Sequence, residues 1–165
     1  MYNCSQIDTT KAAIRFENAL NLPSSVSNSS FHNGLSWGAQ VRGSANLVME
    51  NNVWFGFVQI GVNFDYVRNI TFDNNVIAHV IGRVALESGD EIVDLRGGFV
   101  ACQYLEMQKC YDLTITNNIV AGTTYAGFIV PGHTCGDRDQ KVFRGNVAHS
   151  IKGFLGGIGA LIYPD

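Results

Sequence analysis

Short runs of alternating apolar and polar residues recur along the chain, and each run ends in a pair of small polar residues. In one run Ile70 and Phe72 alternate with Thr71 and Asp73 before an Asn-Asn pair. The same order returns at 113–118, and apolar residues resume directly after each pair. Alternation with a period of two predicts a short strand with one buried face, followed here by a sharp corner.

These runs form an internal repeat. Four segments align on the corner, at 47–54, 70–77, 113–120 and 141–148, and a weaker fifth lies at 24–31. The first corner residue falls at positions 28, 51, 74, 117 and 145, so the intervals are 23, 23, 43 and 28 residues. We interpret the interval of 43 as two rungs, the second degenerate with its strand near 91–95. A period near 23 residues is typical of one turn of a β-helix.

The Asn-Asn corners have a physical explanation in such a stack. Asn tolerates the left-handed backbone of a tight corner, which suits the first position of each pair. Rungs lie about 4.8 Å apart, so Asn side chains at the second position can hydrogen-bond from rung to rung. We therefore predict an inward ladder in the second corner position, formed by Asn52, Asn75, Asn118 and Asn146.

The sequence predicts an all-β right-handed parallel β-helix of about six to seven rungs. It forms a single segment over 1–165, with an irregular insertion or degenerate rung at 83–112. A Gly precedes a second strand in several rungs, at Gly38, Gly56 and Gly127. A β-sandwich would need hairpin turns, for which Asn33-Gly34 is the single example. The last residues are apolar and end within a rung, so we expect part of a longer ectodomain.

The amino-acid composition agrees with a fold built of strands and limits the classes of partner molecule. Charged residues make up 15% of the chain and Gly occurs 18 times, which favours strands and tight turns. A net charge of −3 argues against nucleic acid, and no apolar run approaches the length of a membrane span. Four cysteines and the sequons at Asn3, Asn28 and Asn69 favour an extracellular, glycosylated protein.

Several segments are more specific than a general β-helix pattern. They include Trp-Gly-Ala-Gln-Val at 37–41, Asn-Asn-Ile-Val-Ala-Gly at 117–122 with Ala-Gly-Phe at 126–128, and Gly-Asn-Val-Ala-His-Ser at 145–150. The chain over 24–160 resembles the parallel β-helix region of fibrocystin and fibrocystin-like proteins and, more distantly, that of cell-surface hyaluronidases. The resemblance implies a very large single-pass protein of the cell surface or cilium that acts as a receptor or coat component.

Catalysis would need clustered carboxylates, and the best candidates are Asp90, Glu91 and Asp94 with Arg96 nearby. Polysaccharide hydrolases use a pair of carboxylates, but no second acidic cluster is predicted on an adjacent rung. We therefore interpret the group as a solvated loop with Arg–carboxylate pairs. The acidic tip at 137–139 supplies too few oxygen ligands for Ca²⁺.

The remaining reactive side chains leave alternatives open. Cys110 has two candidate disulfide partners, Cys135 and Cys102. His32 and His149 share a column but lie several rungs apart, so we expect neither a metal site nor a cofactor. We assign most aromatic residues to the core, and an exposed subset would offer a platform for sugars; the aromatic residues considered are Trp37, Trp54, Phe55, Phe57, Phe64 and Tyr66.

The leading functional hypothesis is a non-catalytic structural and interaction module of a fibrocystin-like surface or ciliary protein. Its expected partners are other parts of the same ectodomain, another extracellular protein or an extracellular glycan. Direct membrane insertion is not expected. Two alternatives remain. One is a β-helix enzyme that cleaves polysaccharides as a hydrolase or a lyase, and the other is a receptor segment that binds a glycan without cleaving it.

Overall fold

The computed structural model describes residues 12–82, 96–102, 110–132, 142–153 and 157–163. Their strands form three parallel sheets. Sheet I contains β1 (Ile14–Glu17), β4 (Ala39–Arg42), β7 (Ile60–Asp65), β10 (Gly97–Ala101), β13 (Ala126–Pro131) and β16 (Ile158–Tyr163). Sheet II contains β2 (Ser24–Ser27), β5 (Ala45–Glu50), β8 (Arg68–Asp73), β11 (Tyr111–Thr116) and β14 (Val142–Arg144). Sheet III contains β3 (Ser30–His32), β6 (Val53–Val58), β9 (Val76–Ile81), β12 (Ile119–Ala121) and β15 (Val147–His149).

The chain visits sheets I, II and III in rotation, so each strand pairs in parallel with the strand three places later. This order is that of a parallel β-helix, and the fold prediction is confirmed. Sheet I has six strands, in line with the expected number of rungs. In the described part of the chain, no helix is long and apolar enough to span a membrane.

The interval of 43 residues is one rung, and its interpretation as two rungs was wrong. β8 pairs directly with β11, and Asn75 is hydrogen-bonded to Asn118 across the interval. The extra residues fall between paired strands, and lengthening a connection costs little extra closure entropy. Residues 83–95 and 103–109, including the strand predicted near 91–95, lie outside the described residues. The described part of the 83–112 segment contains a regular strand, β10, paired with β7 and β13.

A disulfide joins Cys102, directly after β10, to Cys110, directly before β11. It corresponds to the second of the two predicted pairings, and Cys135 lies outside the described residues. Beside the bridge, the backbone N–H of Cys102 donates to Phe64 O and that of Tyr111 to Val67 O. The disulfide therefore links the two residues that flank segment 103–109, and it helps to hold β10 and β11 in register with the previous rung.

Large aromatic side chains fill the interior of the stack. Phe31 and Trp54 stack in parallel with their ring centroids 4.1 Å apart. Phe64, Phe72 and Phe99 pack against one another at centroid distances of 4.8–5.7 Å. The last four of these rings are fully buried. Each such ring contributes roughly 1.5–3 kcal/mol by its burial, so the interior column supplies much of the stability.

Five glycines occupy one register position of sheet I: Gly38, Gly61, Gly98, Gly127 and Gly159. A Cβ at Gly61 would lie 2.5 Å from Gly98 O and 2.5 Å from Ile77 Cγ2. The position therefore needs Gly because of the close approach of β9, and not because of its φ. The expectation that Gly56 precedes a strand as Gly38 and Gly127 do was wrong. Gly56 lies within β6 with a φ of 73°, and Gly61 is the residue equivalent to Gly38 and Gly127.

Candidate functional site

The predicted inward asparagine ladder is present at the corner between sheets II and III. Nδ2 of Asn52 donates to Asn75 Oδ1 at 3.0 Å, and Asn75 Nδ2 donates to Asn118 Oδ1 at 3.1 Å. Asn118 Nδ2 continues the row to Asn146 Oδ1 at 2.9 Å. The first three side chains are at most 1% exposed. The row therefore runs unbroken through four rungs.

The two interior amide groups of this ladder, those of Asn75 and Asn118, are fully used. Nδ2 of each of the four Asn also donates to a main-chain carbonyl of the preceding rung, for example Asn75 Nδ2 to Met49 O at 2.9 Å. Each Oδ1 also accepts from the main-chain N–H of the preceding ladder residue, such as Asn52 N to Asn75 Oδ1 at 3.0 Å. Ser29 takes the equivalent place in the first rung and donates its N–H to Asn52 Oδ1. A saturated buried row stabilises the stack and has no capacity left for a ligand.

The first corner position is the outer, left-handed one, as predicted. Asn51, Asn74 and Asn117 have φ values of 57°, 52° and 57°, and Gly145 has 69°. Asn74 Nδ2 donates to Asn51 Oδ1 at 2.7 Å, but these side chains are exposed. A further left-handed column was missed, at positions 33, 56, 79, 122 and 150. It follows the second corner position by four residues in all five rungs, and this constant offset is the signal that identifies it.

A groove runs along the corner between sheets I and II. We call it the corner groove; its volume is about 880 Å³. It crosses four successive rungs, and its lining includes Asn46, Tyr66, Arg68, Asn69, Tyr111 and Asp112. Tyr66 is 60% exposed and Tyr111 is 38% exposed. Sequence reasoning placed Tyr66 among mostly internal aromatic residues and did not bring these six together.

A second polar group lies on sheet I at Gln40, Asn63 and Asp65. Gln40 and Asn63 are register partners, and Asn63 Nδ2 donates to Asp65 Oδ2. Among the described residues, the buried Gln40 Oε1 and Asn63 Oδ1 accept no hydrogen bond. Burial raises the pKa of Asp65, while the Asn63 amide and the Arg42 guanidinium oppose this rise. Asp65 was missed because it stands alone at the end of an apolar run.

We predict that Asp65→Asn is more stable than the wild type at pH 7.5 and equally stable near pH 4. The folded-state pKa of Asp65 is raised above its ordinary value of 3.8. The contribution of Asp65 to folding stability is therefore fully present below pH 3.8, where the carboxyl group is neutral. The contribution is lost as the pH rises through the folded-state pKa, because the ionised carboxylate is poorly solvated. Urea unfolding at both pH values measures the difference. An equal difference at both values would contradict it, and the exposed Glu17→Gln serves as the control.

Most of the predicted catalytic group lies outside the described residues. These are Asp90, Glu91 and Asp94. The disulfide candidate Cys135 and the acidic tip at 137–139 also lie outside the described residues. Arg96 is described, half-buried and directly before β10. The proposed carboxylate cluster therefore stays a prediction.

Of the sequons, Asn28 and Asn69 are exposed, and Asn3 lies outside the described residues. Asn69 Nδ2 donates to Asn46 Oδ1 at 2.8 Å within the corner groove. Glycosylation of the three sites stays a prediction.

The histidines and aromatic residues divide by location. His32 and His149 share a column, separated along it by Phe55, Ala78 and Ala121. Within the described ranges, no group of three His, Cys, Asp or Glu side chains is placed to hold a metal ion. Trp54, Phe57 and Phe64 are buried and Trp37 is half-buried, whereas Phe55 is 42% exposed. Of the aromatic residues considered in the sequence, the exposed subset therefore comprises Phe55 on sheet III and Tyr66 in the corner groove.

Comparison with known proteins agrees with this architecture. The family model of the right handed beta helix region matches residues 1–161. Fibrocystin from the dog, Canis lupus familiaris, is 27% identical over 139 residues, which cover 84% of this chain and 3% of fibrocystin. The chain thus spans a very small part of that relative. No solved structure matches. The chain belongs to the right-handed β-helix family and is similar to fibrocystin over most of its length.

Proposed function

We propose that the chain is a non-catalytic structural and interaction module of a large fibrocystin-like protein at the cell surface or cilium. The observation that carries this proposal is the Asn ladder, whose polar groups form hydrogen bonds between successive rungs. Rungs fixed in this way form a rigid rod. Contacts with other molecules then fall to the outer corners and faces.

An extracellular location is supported by the similarity to fibrocystin and by the Cys102–Cys110 disulfide. Structural disulfides persist in oxidising compartments and are rare in the cytosol. The proposed partners are other parts of the same ectodomain, a second extracellular protein or an extracellular glycan. A chain with a net charge of −3 is poorly suited to nucleic acid.

A polysaccharide hydrolase or lyase is the second candidate, and Asp65 is the observation in its favour. This carboxylate is 8% exposed, and burial raises its pKa, as suits a general acid. A hydrolase needs a second carboxyl group roughly 5–10 Å away. Asp94 is the sequence candidate for that partner.

An activity assay separates the two candidates. The chain is incubated with a panel of neutral and acidic polysaccharides, and new reducing ends and unsaturated products are measured. We expect no turnover above that of the heat-denatured chain. Turnover that disappears in Asp65→Asn or Asp94→Asn and persists in the exposed Glu17→Gln would overturn the non-catalytic assignment.

A further inference from the structure

The corner groove repeats its chemistry once per rung. Asn46, Asn69 and Asp112 are register partners on β5, β8 and β11. Their φ values are 59°, 52° and 52°, so the same left-handed backbone recurs at the same place in each rung. Asn69 Nδ2 donates to Asn46 Oδ1 at 2.8 Å. The groove floor thus carries a row of planar amide and carboxylate groups along the axis of the stack.

Exposed aromatic rings stand beside this row. Tyr66 lies at the corner before β8, and Tyr111 is the register partner of Arg68 at the start of β11. Tyr combines a flat apolar ring with a polar tip and loses little entropy when it binds. Rings of this kind pack on the apolar faces of sugars, while Asn and Asp side chains bond hydroxyl groups. The volume of about 880 Å³ lies within the range of ligand-binding clefts.

The spacing of the row favours one class of polymer. Successive rungs rise by about 4.8 Å, close to the length of one pyranose unit in an extended chain. An extended peptide presents equivalent side chains every 6.6–6.8 Å or so, which would fall out of step within two rungs. A groove of four rungs spans about 14 Å between its outer rungs and so accommodates three to four sugar units.

Charge narrows the class further. Arg68 and Asp112 bring one charge of each sign to the groove, and the whole chain carries −3. Neither the groove nor the chain provides the positive field that an anionic glycan requires.

We propose that the corner groove binds a linear neutral glycan, with its sugar units in step with the rungs. Tyr66 and Tyr111 stack on the sugar faces, and Asn46, Asn69 and Asp112 bond their hydroxyl groups. The proposal requires the Asn69 sequon to carry no glycan of its own, because a glycan on Asn69 would occupy the groove. This role deepens the proposed interaction function and rests on it.

The test is a calorimetric titration of the whole chain with cellohexaose and chitohexaose, set against hyaluronan and heparin hexasaccharides and an extended octapeptide. We expect saturable binding of at least one neutral hexasaccharide and none of the anionic ones. Tyr66→Asn should weaken binding at least about tenfold, because one ring contact is removed. Asn accepts the left-handed backbone of Tyr66, whose φ is 57°, so the fold is preserved.

Tyr125→Asn is the matched control. Tyr125 is also a left-handed tyrosine, with a φ of 80° and 41% exposure, but it does not line the groove. We expect its affinity to equal that of the wild type, and melting temperatures report whether both variants fold. Equal losses in the two variants, preferential binding of an anionic glycan or the peptide, or no binding at all would each overturn the proposal. If the chain neither binds nor cleaves a glycan, the groove proposal fails and the non-catalytic structural role stands. If the chain binds a glycan and also cleaves it, the non-catalytic role fails and the groove proposal stands.

Discussion

Asn75→Ala is expected to lower the free energy of unfolding by at least about 3 kcal/mol, considerably more than Asn74→Ala. Removal of the Asn75 amide leaves the main-chain N–H and one Nδ2 hydrogen of Asn52 without an acceptor, and Met49 O loses its donor. Each unsatisfied buried group costs about 1–3 kcal/mol. The adjacent rungs cannot move to compensate, because their own strands are paired on both sides.

Asn74 is the matched comparison, one position away in the same corner. It is exposed, and its Nδ2 donates only to the equally exposed Asn51. Asn74→Ala should cost about 1–2 kcal/mol, chiefly because Ala disfavours a left-handed φ of 52°. Asn74→Gly should be close to neutral, since Gly145 holds this position in another rung. Urea unfolding followed by tryptophan fluorescence measures all three. Equal losses for Asn75→Ala and Asn74→Ala would mean that the inner column is assigned wrongly.

Gly61→Ala is the second large expected effect, at about 3 kcal/mol or more of lost stability. The new methyl group would lie 2.5 Å from Gly98 O, which belongs to a main chain paired on both sides. It would also lie 2.5 Å from Ile77 Cγ2 in the packed interior. Relief requires sheet I to move away from β9, which would open the aromatic core between them.

Gly159→Ala provides the control within the same column. A Cβ at Gly159 meets only Ala148 Cβ, at an ordinary contact distance of 3.8 Å. The substitution is therefore expected to change stability by less than about 0.5 kcal/mol. Thermal melts of the two variants give the comparison. If Gly159→Ala proved as damaging as Gly61→Ala, a general strand preference and not close packing would explain the column.

The ladder could be predicted because its signal is local and periodic. Asn-Asn recurs at the same offset from an alternating run, and both positions of the pair have separate physical demands. The rung between Asn75 and Asn118 was miscounted because an insertion lengthens the interval without disturbing the pairing. Sequence distance measures chain length, whereas register depends on which strands pair, so the two diverge wherever a corner is extended.

The glycine column and the corner groove could not be predicted in the same way. Gly61 is needed because of Ile77 and Gly98, which are distant in sequence and become neighbours only in the stack. Tyr66 and Tyr111 lie in a shared groove for a similar reason, since their separation along the chain includes the insertions. Asp65 resembles an ordinary polar strand end, and its buried position depends on the packing of sheet I.

Hydrogen exchange of the side-chain amides tests most directly the central claim that one buried row of Asn holds the rungs in register. NMR exchange rates of the Nδ2 hydrogens of Asn52, Asn75 and Asn118 are compared with those of Asn51, Asn74 and Asn117. The inner amides should exchange only through global unfolding, with protection near the full stability of the chain. The outer amides should exchange rapidly through local fluctuation. Similar, rapid exchange in both columns would contradict the account.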